Sequence, residues 1–388
     1  MVTRTIAISI SLLVLGVVVG YLISWAAPLR EVTSTMTVTS IATTTRLETI
    51  NVPIYTTMTS TQTITTNYTV TEKIEWPRIL TDALGRKIEI PKPPNRIVST
   101  APSITEEIYA LGLLNRLVGV DSYSNYPSAL AALRAEGRVT DVGGPWTLDL
   151  EKIINLKPDI VFMCRGIKPQ ETQFAPKLEE SGVKTFFLIC DAAKDQYDIY
   201  TDLRLIALAT GVDMRTVDSV IESIQRSIDN VTRTLSSYNL TKPKVLVLLG
   251  PPSWGLWSAG GDTFINWMIT VAGGVNIASS YSGWPQLSYE YILSKNPDVI
   301  IVAVHGVDPG KVLSEIRQDQ YLKETSAVKN NRVYIVTGEL GDALLRPGPR
   351  ISLAVEALAK IFYPQIFGSA TSRDIVSLSI ALLLVRAR

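Results

Sequence analysis

Few side chains in this sequence are able to do acid–base or metal chemistry. Across 388 residues there is one histidine, His305, and there are two cysteines, Cys164 and Cys190. No GxxxxGK[ST] loop, GxSxG turn or His-Cys metal spacing occurs, and no nucleophile stands beside a base. The residue types therefore point to binding rather than to an enzyme. Two cysteines cannot build a metal-cluster site, and a lone histidine is more often not a ligand, although His305 follows an apolar run near a position from which a metal centre is reachable. Cys164 and Cys190 each end an expected strand. If those strands are neighbours, the Cα atoms lie about 5 Å apart, within disulfide reach; two buried thiols are the alternative.

A repeated unit carries the next chemistry-bearing pair. Residues 145–163 read PWTLDLEKIINLKPDIVFM, and residues 284–303 read WPQLSYEYILSKNPDVIIVA. Glu151 and Pro158 in the first correspond to Glu290 and Pro297 in the second, at an offset of 139 residues each time. Pro ends a helix and fixes the following turn, and a Glu opening a helix is favoured by the helix dipole by about 0.3–1 kcal/mol. One copy would be an ordinary helix-to-strand transition. Two copies, each with Trp and Pro alongside, indicate two related lobes.

The elements that must hold these residues are those of an α/β protein. A hairpin is expected over 78–91 around Ala83-Leu84-Gly85. Buried strands follow at 96–100, 117–120, 159–163 and 184–189, and a second series at 244–249, 298–303 and 332–336. Amphipathic helical patterns lie between them, which indicates mainly parallel sheets covered on both faces. Between the two series, 196–209 reads as a helix stopping at Thr210-Gly211. Residues 212–237 read as a longer helix with Val217, Val220, Ile221, Ile224 and Ile228 on one stripe. The expected layout is two lobes, 76–191 and 243–366, joined by a helical segment at 192–242 that contains one long helix.

The flanks differ in composition. Residues 5–27 carry no charge, and as a helix they would run roughly 35 Å against a hydrocarbon core of about 30 Å. This favours a membrane anchor within 1–30 over a cleaved signal, whose apolar region is usually about 7–15 residues. Arg4 before the run places the body outside the membrane, although Arg30 lies just beyond it. Residues 32–71 hold 17 Thr in 40 positions and read as part of a disordered stalk, 31–75. Sequons begin at Asn67, Asn230 and Asn239. Residues 367–388 form an apolar C-terminal extension whose run 375–385 is too short to span a bilayer; it packs on the second lobe or lies at the membrane surface. With 37 basic and 36 acidic residues, nucleic acid is excluded as the expected partner.

In order along the chain, RIVSTAPSITEEIYALGLLNRLVGVDSYSNYP, VGGPWTLDLEKIINLKPDIVF, GGDTFINWMITVAGGVNIA, WPQLSYEYILSKNPDVIIV and RPGPR resemble the substrate-binding proteins of ATP-driven (ABC) importers for cobalamin, haem and iron-siderophore complexes. The resemblance spans roughly residues 78–364. It implies two lobes on one rigid helix, no intrinsic cofactor, and a two-fold symmetric permease with its ATPase as partner. It also implies that Glu151 and Glu290 engage arginines of that permease.

A ligand between the lobes would meet residues at the carboxyl ends of the strands. Those positions offer Tyr126, Trp146, Arg165, Trp254, Trp257 and Trp284. A buried Trp covers about 150–250 Å², which suits a large, flat, partly apolar ligand. Within the resemblance the cobalamin-binding members are nearest, through Tyr126, Trp146 and Trp284. Trp146 stands one position closer to its Glu than their pattern has it. The expected ligand is thus a corrinoid, with haem or a ferric siderophore as the alternative, since only Arg165 and Arg346 stand out as basic. Arg346 serves either the ligand or the scaffold. A stalked adhesion module without a small ligand is the reading from another class.

Overall fold

The computed structural model describes residues 34–40, 46–52, 75–370 and 372–377. The chain divides into a unit ending at Lys73 and a larger one beginning at Ile74. In the first unit, β1 (Ser34–Ser40) and β2 (Arg46–Val52) form an antiparallel pair, Ser34 facing Val52 and Ser40 facing Arg46. The expectation of a stalk without strands is corrected here. β-Branched Thr and Val favour extended backbone. The apolar run 5–27, the sequon at Asn67 and residues 378–388 lie outside the described residues. Among those described, no helix is long and apolar enough to cross a membrane.

The larger unit begins with the hairpin β3 (Arg78–Thr81) and β4 (Lys87–Ile90). Gly85 turns it at a φ of +80°, and the Asp82 carboxylate accepts the Leu84 and Arg86 N–H groups. Strands β5 (Ile97–Ser99), β6 (Leu117–Val120) and β7 (Thr140–Asp141) follow. A short hairpin, β8 (Gly143–Gly144) with β9 (Thr147–Leu148), stands beside them. Then come β10 (Ile160–Cys164) and β11 (Thr185–Leu188). The first sheet is parallel in the order β11-β10-β5-β6-β7.

In the second lobe, β12 (Lys244–Leu248), β13 (Val275–Asn276), β14 (Val299–Ala303) and β15 (Val333–Val336) are parallel. β16 (Ile375–Ser377) adds antiparallel to β15, giving the order β13-β12-β14-β15-β16. The start of the C-terminal extension is therefore part of the second lobe. Two-residue strands such as β7 and β13 carry no readable period, which is why the sequence pattern passes over them.

Both sheets are covered on both faces, and the side-chain alternation shows it. Ile160, Phe162 and Cys164 of β10 join the central core, while Val161 and Met163 join a second cluster on the opposite face. In β14, Val299, Ile301 and Ala303 face the central core and Ile300 and Val302 the outer one. Successive strand residues point to opposite faces, so an unbroken apolar run serves both.

Two helices lie between the sheets in sequence. Gln196–Thr210 starts on an Asp195 cap and stops at Gly211, whose φ of 78° is left-handed. It packs on the first lobe, leaving Met214–Ser236 as the connecting helix, about 34 Å long at 1.5 Å per residue. Its buried stripe of Val217, Ile224, Ile228 and Val231 belongs to one central core with Ile97 and Phe162 of the first sheet and Val245 and Ile301 of the second. One continuous core through both lobes makes the connection stiff rather than hinged.

Candidate functional site: an inter-lobe cleft

In open α/β sheets, ligands meet the carboxyl ends of strands where the strand order reverses. That point lies at β5, flanked by β10 and β6, in the first lobe, and at β12, flanked by β13 and β14, in the second. The loops leaving these strands carry most of the candidate residues.

A buried ionic cluster ties the two lobes together below these loops. Glu106, 2% exposed in the helix Pro102–Ala110, accepts from both arginines of the 346–350 segment. Arg346 Nη1 lies 3.0 Å from Glu106 Oε1, and Arg350 Nε donates to Oε2 at 2.8 Å. Arg346 Nη1 also donates to Asn125 Oδ1 at 2.7 Å and Nη2 to the Tyr123 carbonyl at 3.1 Å, both in the first lobe. Asp342 closes the ring: its Oδ2 accepts from Asn125 Nδ2 at 2.9 Å and its Oδ1 lies 2.9 Å from Arg346 Nη2. Charged groups removed from water persist only when paired this fully. Arg346, left open between ligand and scaffold by the sequence, is here a cross-lobe clasp.

A cavity of about 320 Å³ adjoins this cluster, lined by Asn125, Tyr126, Glu339, Asp342, Arg350 and Asp374 among others, a volume at the small end of known ligand sites. Arg350 stacks over the Tyr126 ring at 4.3 Å, and Tyr109 meets that ring edge-on at 5.6 Å. His305 Nδ1 stands 3.3 Å from Asp342 Oδ1. Burial pushes the His305 imidazole below its usual range, Arg346 adds to this and Asp342 opposes it. The half-exposed imidazole thus reaches Asp342, which itself lines the cavity. Among the described residues no group of three or more His, Cys, Asp or Glu is placed to hold a metal ion.

The other expected ligand contacts lie on loops of the two lobes, outside the residues lining the cavity. On the first lobe, Trp146 is 56% exposed in the turn between β8 and β9. The preceding carbonyl, of Pro145, accepts from Gln170 Nε2 at 2.9 Å. Gln170 is fully buried; its Oε1 accepts from Thr100 Oγ1 and the Cys164 N–H, and its Nε2 also reaches the Thr100 carbonyl. On the second lobe, Trp254 and Trp257 are 61% and 44% exposed on the loop after β12. A bridge pairs Trp257 with Gln286, two residues beyond Trp284. Trp284 is half-buried, edge-on to Phe264 at 5.9 Å, so part of its surface is core. Arg165 points elsewhere: its Nη1 donates to the Ala83 carbonyl in the β3–β4 turn at 3.3 Å.

Cys164 and Cys190 form a disulfide with Cα atoms 5.2 Å apart, joining the end of β10 to the turn after β11. Nearby, Asp202 accepts the Ile189 and Cys190 N–H groups, yet burial pushes its carboxyl up to about 7. Glu107, fully buried, is raised well above the carboxylate range by burial, then by Asp202 and Glu106, and its Oε1 has no hydrogen-bond partner among the described residues.

Sequence reasoning missed Glu106, Asn125, Glu339, Asp342 and Arg350. The usable signal was the pair Glu106-Glu107 inside a helix whose 103–108 stretch is buried throughout; charges there need partners from elsewhere.

The repeat is equivalent in three dimensions. Glu151 and Glu290 are both exposed in the first turns of the helices Leu150–Asn155 and Tyr289–Lys295, capped by Asp149 and Ser288. Both helices give way to a left-handed residue, Lys157 at φ 46° and Asn296 at φ 47°. The next Asp clamps the start of a neighbouring strand: Asp159 accepts the Asn95 and Arg96 N–H groups, and Asp298 that of Lys244. The two Glu residues thus occupy matching corners of the two lobes.

Two α/β lobes on one connecting helix, with a cavity lined from both lobes, match the architecture of solute-binding proteins. The chain belongs to the periplasmic binding protein family, whose pattern it matches over residues 97–340. It is 30% identical over 292 residues to the ABC transporter substrate-binding lipoprotein YvrC of Bacillus subtilis, covering 75% of this chain and 87% of that one. It is 29% identical over 280 residues to the vitamin B12-binding protein of Vibrio vulnificus, covering 70% and 90%. Among solved structures, a periplasmic haem-binding protein from Pseudomonas aeruginosa superimposes with a TM-score of 0.62 at 25% identity, covering 73% and 98%.

Proposed function

We propose that this protein is the extracytoplasmic receptor of an ABC importer, capturing a corrinoid between its lobes and delivering it to a permease and its ATPase. The observation that carries this reading is a cavity lined from both lobes, by Asn125 and Tyr126 of one and Asp342 and Arg350 of the other, in a chain that leaves Trp146, Trp254 and Trp257 exposed on loops of the two lobes. An exposed indole in water wastes apolar area unless something covers it, and a flat macrocycle with polar edges is a ligand able to cover such rings. The vitamin B12-binding relative supports the same choice. The exposed Glu151 and Glu290 supply the docking corners, and the apolar run 5–27 tethers the body to the outer face of the membrane.

A haem or iron chelate is the second reading. It is favoured by His305, whose imidazole reaches Asp342 of the cavity lining, and by the haem-binding structural relative. Calorimetric titration of the purified protein with cyanocobalamin, haem and a ferric siderophore separates the two. Saturable one-to-one binding of cyanocobalamin, weakened by Trp146→Ala, is the expected result. Binding of haem alone, lost in His305→Ala, selects the second reading, and binding of none of the three overturns both.

A further inference from the structure

Trp146 stands on a hairpin too short to hold itself. β8 and β9 contribute two residues each, Gly143 facing Leu148 and Gly144 facing Thr147, and so small a two-stranded unit has little stability of its own. Its base is fixed to β6 and the residue after the next: the Val142 N–H donates to the Val120 carbonyl and the Ser122 N–H to the Gly143 carbonyl, both at 3.0 Å. Its tip is Pro145-Trp146, with the proline buried and the indole 56% exposed. At that tip the Pro145 carbonyl accepts from Gln170 Nε2 at 2.9 Å.

Gln170 opens a π-helical turn, Gln170–Phe174, after β10, a wide turn of a kind that recurs at functional sites. Its carboxamide makes every bond its two polar atoms allow. Oε1 accepts from Thr100 Oγ1 at 2.7 Å and from the Cys164 N–H at 2.9 Å, and Nε2 donates to the Thr100 carbonyl at 3.2 Å as well as to Pro145. Thr100 directly follows β5 and Cys164 ends β10, where the disulfide to Cys190 holds it further. One side chain with no exposure to water therefore joins the ends of two neighbouring strands to the hairpin tip. A fully satisfied buried network is rigid, and a partly satisfied one is costly.

We infer that Gln170 is the positioning residue for Trp146: it pins the hairpin tip to the ends of β5 and β10, so that the indole is held in one orientation before any ligand arrives. The inference rests on Trp146 being a ligand contact, as proposed above, and adds the group that fixes it. An indole already ordered in the free protein gives up little freedom on binding.

The test labels the full-length protein with fluorotryptophan and records fluorine NMR spectra without ligand, the Trp146 line being the one lost in Trp146→Phe. Gln170→Met keeps the length of the side chain and removes its bonds to Thr100, Cys164 and Pro145. It is expected to shift or broaden the Trp146 line and to leave those of Trp267 and Trp284 in place. In calorimetric titration with cyanocobalamin the same variant should bind about two- to tenfold more weakly. Combined with Trp146→Ala it should cause no further loss, because both changes act on one contact. Should Gln170→Met not fold, Thr100→Val, which lacks only the hydroxyl that orients Oε1, is expected to give the same Trp146-selective change at smaller size. An unmoved Trp146 line in a folded Gln170→Met protein overturns the inference and leaves the receptor reading standing. Lines that all move together overturn it as well, since Gln170 then supports the whole fold rather than one indole. Fully additive losses in the double variant also overturn it, because Gln170 then acts by another route. A Trp146-selective change in a protein that binds no cyanocobalamin keeps the positioning role and overturns the corrinoid reading.

Discussion

Glutamates do opposite work in two regions of this molecule. At the lobe corners, Glu151 and Glu290 stand in water with no fixed ion-pair partner among the described residues. In the helix Pro102–Ala110, Glu106 and Glu107 are removed from water, and Glu106 is matched by two arginines from the other lobe. The difference is one of solvent rather than residue type. An exposed ion pair contributes about 0–1 kcal/mol, so a corner carboxylate is free to be used for steering and orientation. A buried one is obliged to be paired or neutral. The corners therefore suit transient recognition, and the buried pair sets how the lobes are held.

The strongest way to break this contrast is to remove the paired buried charge. Glu106→Ala leaves Arg346 and Arg350 facing each other without their shared acceptor, and about 3–5 kcal/mol of stability should be lost. Denaturant unfolding checks this, with Glu151→Ala as the control expected to change by less than about 0.5 kcal/mol. A loss below about 1 kcal/mol in Glu106→Ala would mean water reaches the clasp and the contrast is false.

Glu107 and Asp202 sharpen it through pH. Both carboxyls are raised in the folded state, Asp202 to about 7. The folded protein then binds their protons more tightly than the unfolded chain, whose carboxyls titrate near 4. Stability from these groups is fully present below that pH and is lost as pH rises through their folded values. The melting temperature should thus fall between about pH 4 and pH 7 from this source, and Glu107→Gln, a neutral isostere, should flatten the slope. An unaltered slope in that variant would show that folding does not raise the Glu107 carboxyl. Glu290, exposed and held below the usual range by its own N–H and the Ser288 hydroxyl, should leave the slope in this window unchanged when made Gln.

The smallest effects test how alike the two corners are. Lys157 and Asn296 occupy the same left-handed step, but only Asn296 uses its side chain there, its Oδ1 accepting the Ser326 N–H at 2.8 Å. Lys157→Gly should stabilise by up to about 1 kcal/mol by relieving the Cβ clash. Asn296→Gly should instead destabilise by about 0.5–1.5 kcal/mol through the lost acceptor. Equal signs in chemical denaturation would show that backbone strain alone governs both steps.

Much of the scaffold was legible before the structure, because its signals are local. The strands β6, β10 and β14 lie within a residue of the apolar runs at 117–120, 159–163 and 298–303. The helix stop at Gly211 follows from a left-handed position that suits glycine. The repeat fixed Glu151 and Glu290 at the same step of two lobes, since helix opening, Pro-Asp and strand recur in the same spacing. The disulfide followed from two strand ends, once those strands proved adjacent.

The cleft itself was legible only in part. Of the candidate ligand contacts, Tyr126 borders the cavity, Trp146, Trp254 and Trp257 are exposed on loops, Trp284 is half-buried against Phe264, and Arg165 bonds to the first hairpin. The clasp joins Glu106 to Arg346 and Arg350 across some 240 residues of chain, and no periodicity or motif encodes a contact of that separation. The β1–β2 pair also escaped, since Thr-rich composition is compatible with either a stalk or strands.

The sequence by itself determined the two-lobe α/β plan, its connecting helix and the paired corner glutamates, because hydrophobic period, proline and glycine positions and repetition act over a few residues at a time. The tertiary structure alone decided which carboxylates are buried, which arginines meet them and which aromatics remain exposed. Those outcomes depend on how much water each group loses when distant segments pack together, and that quantity exists only once the lobes are assembled.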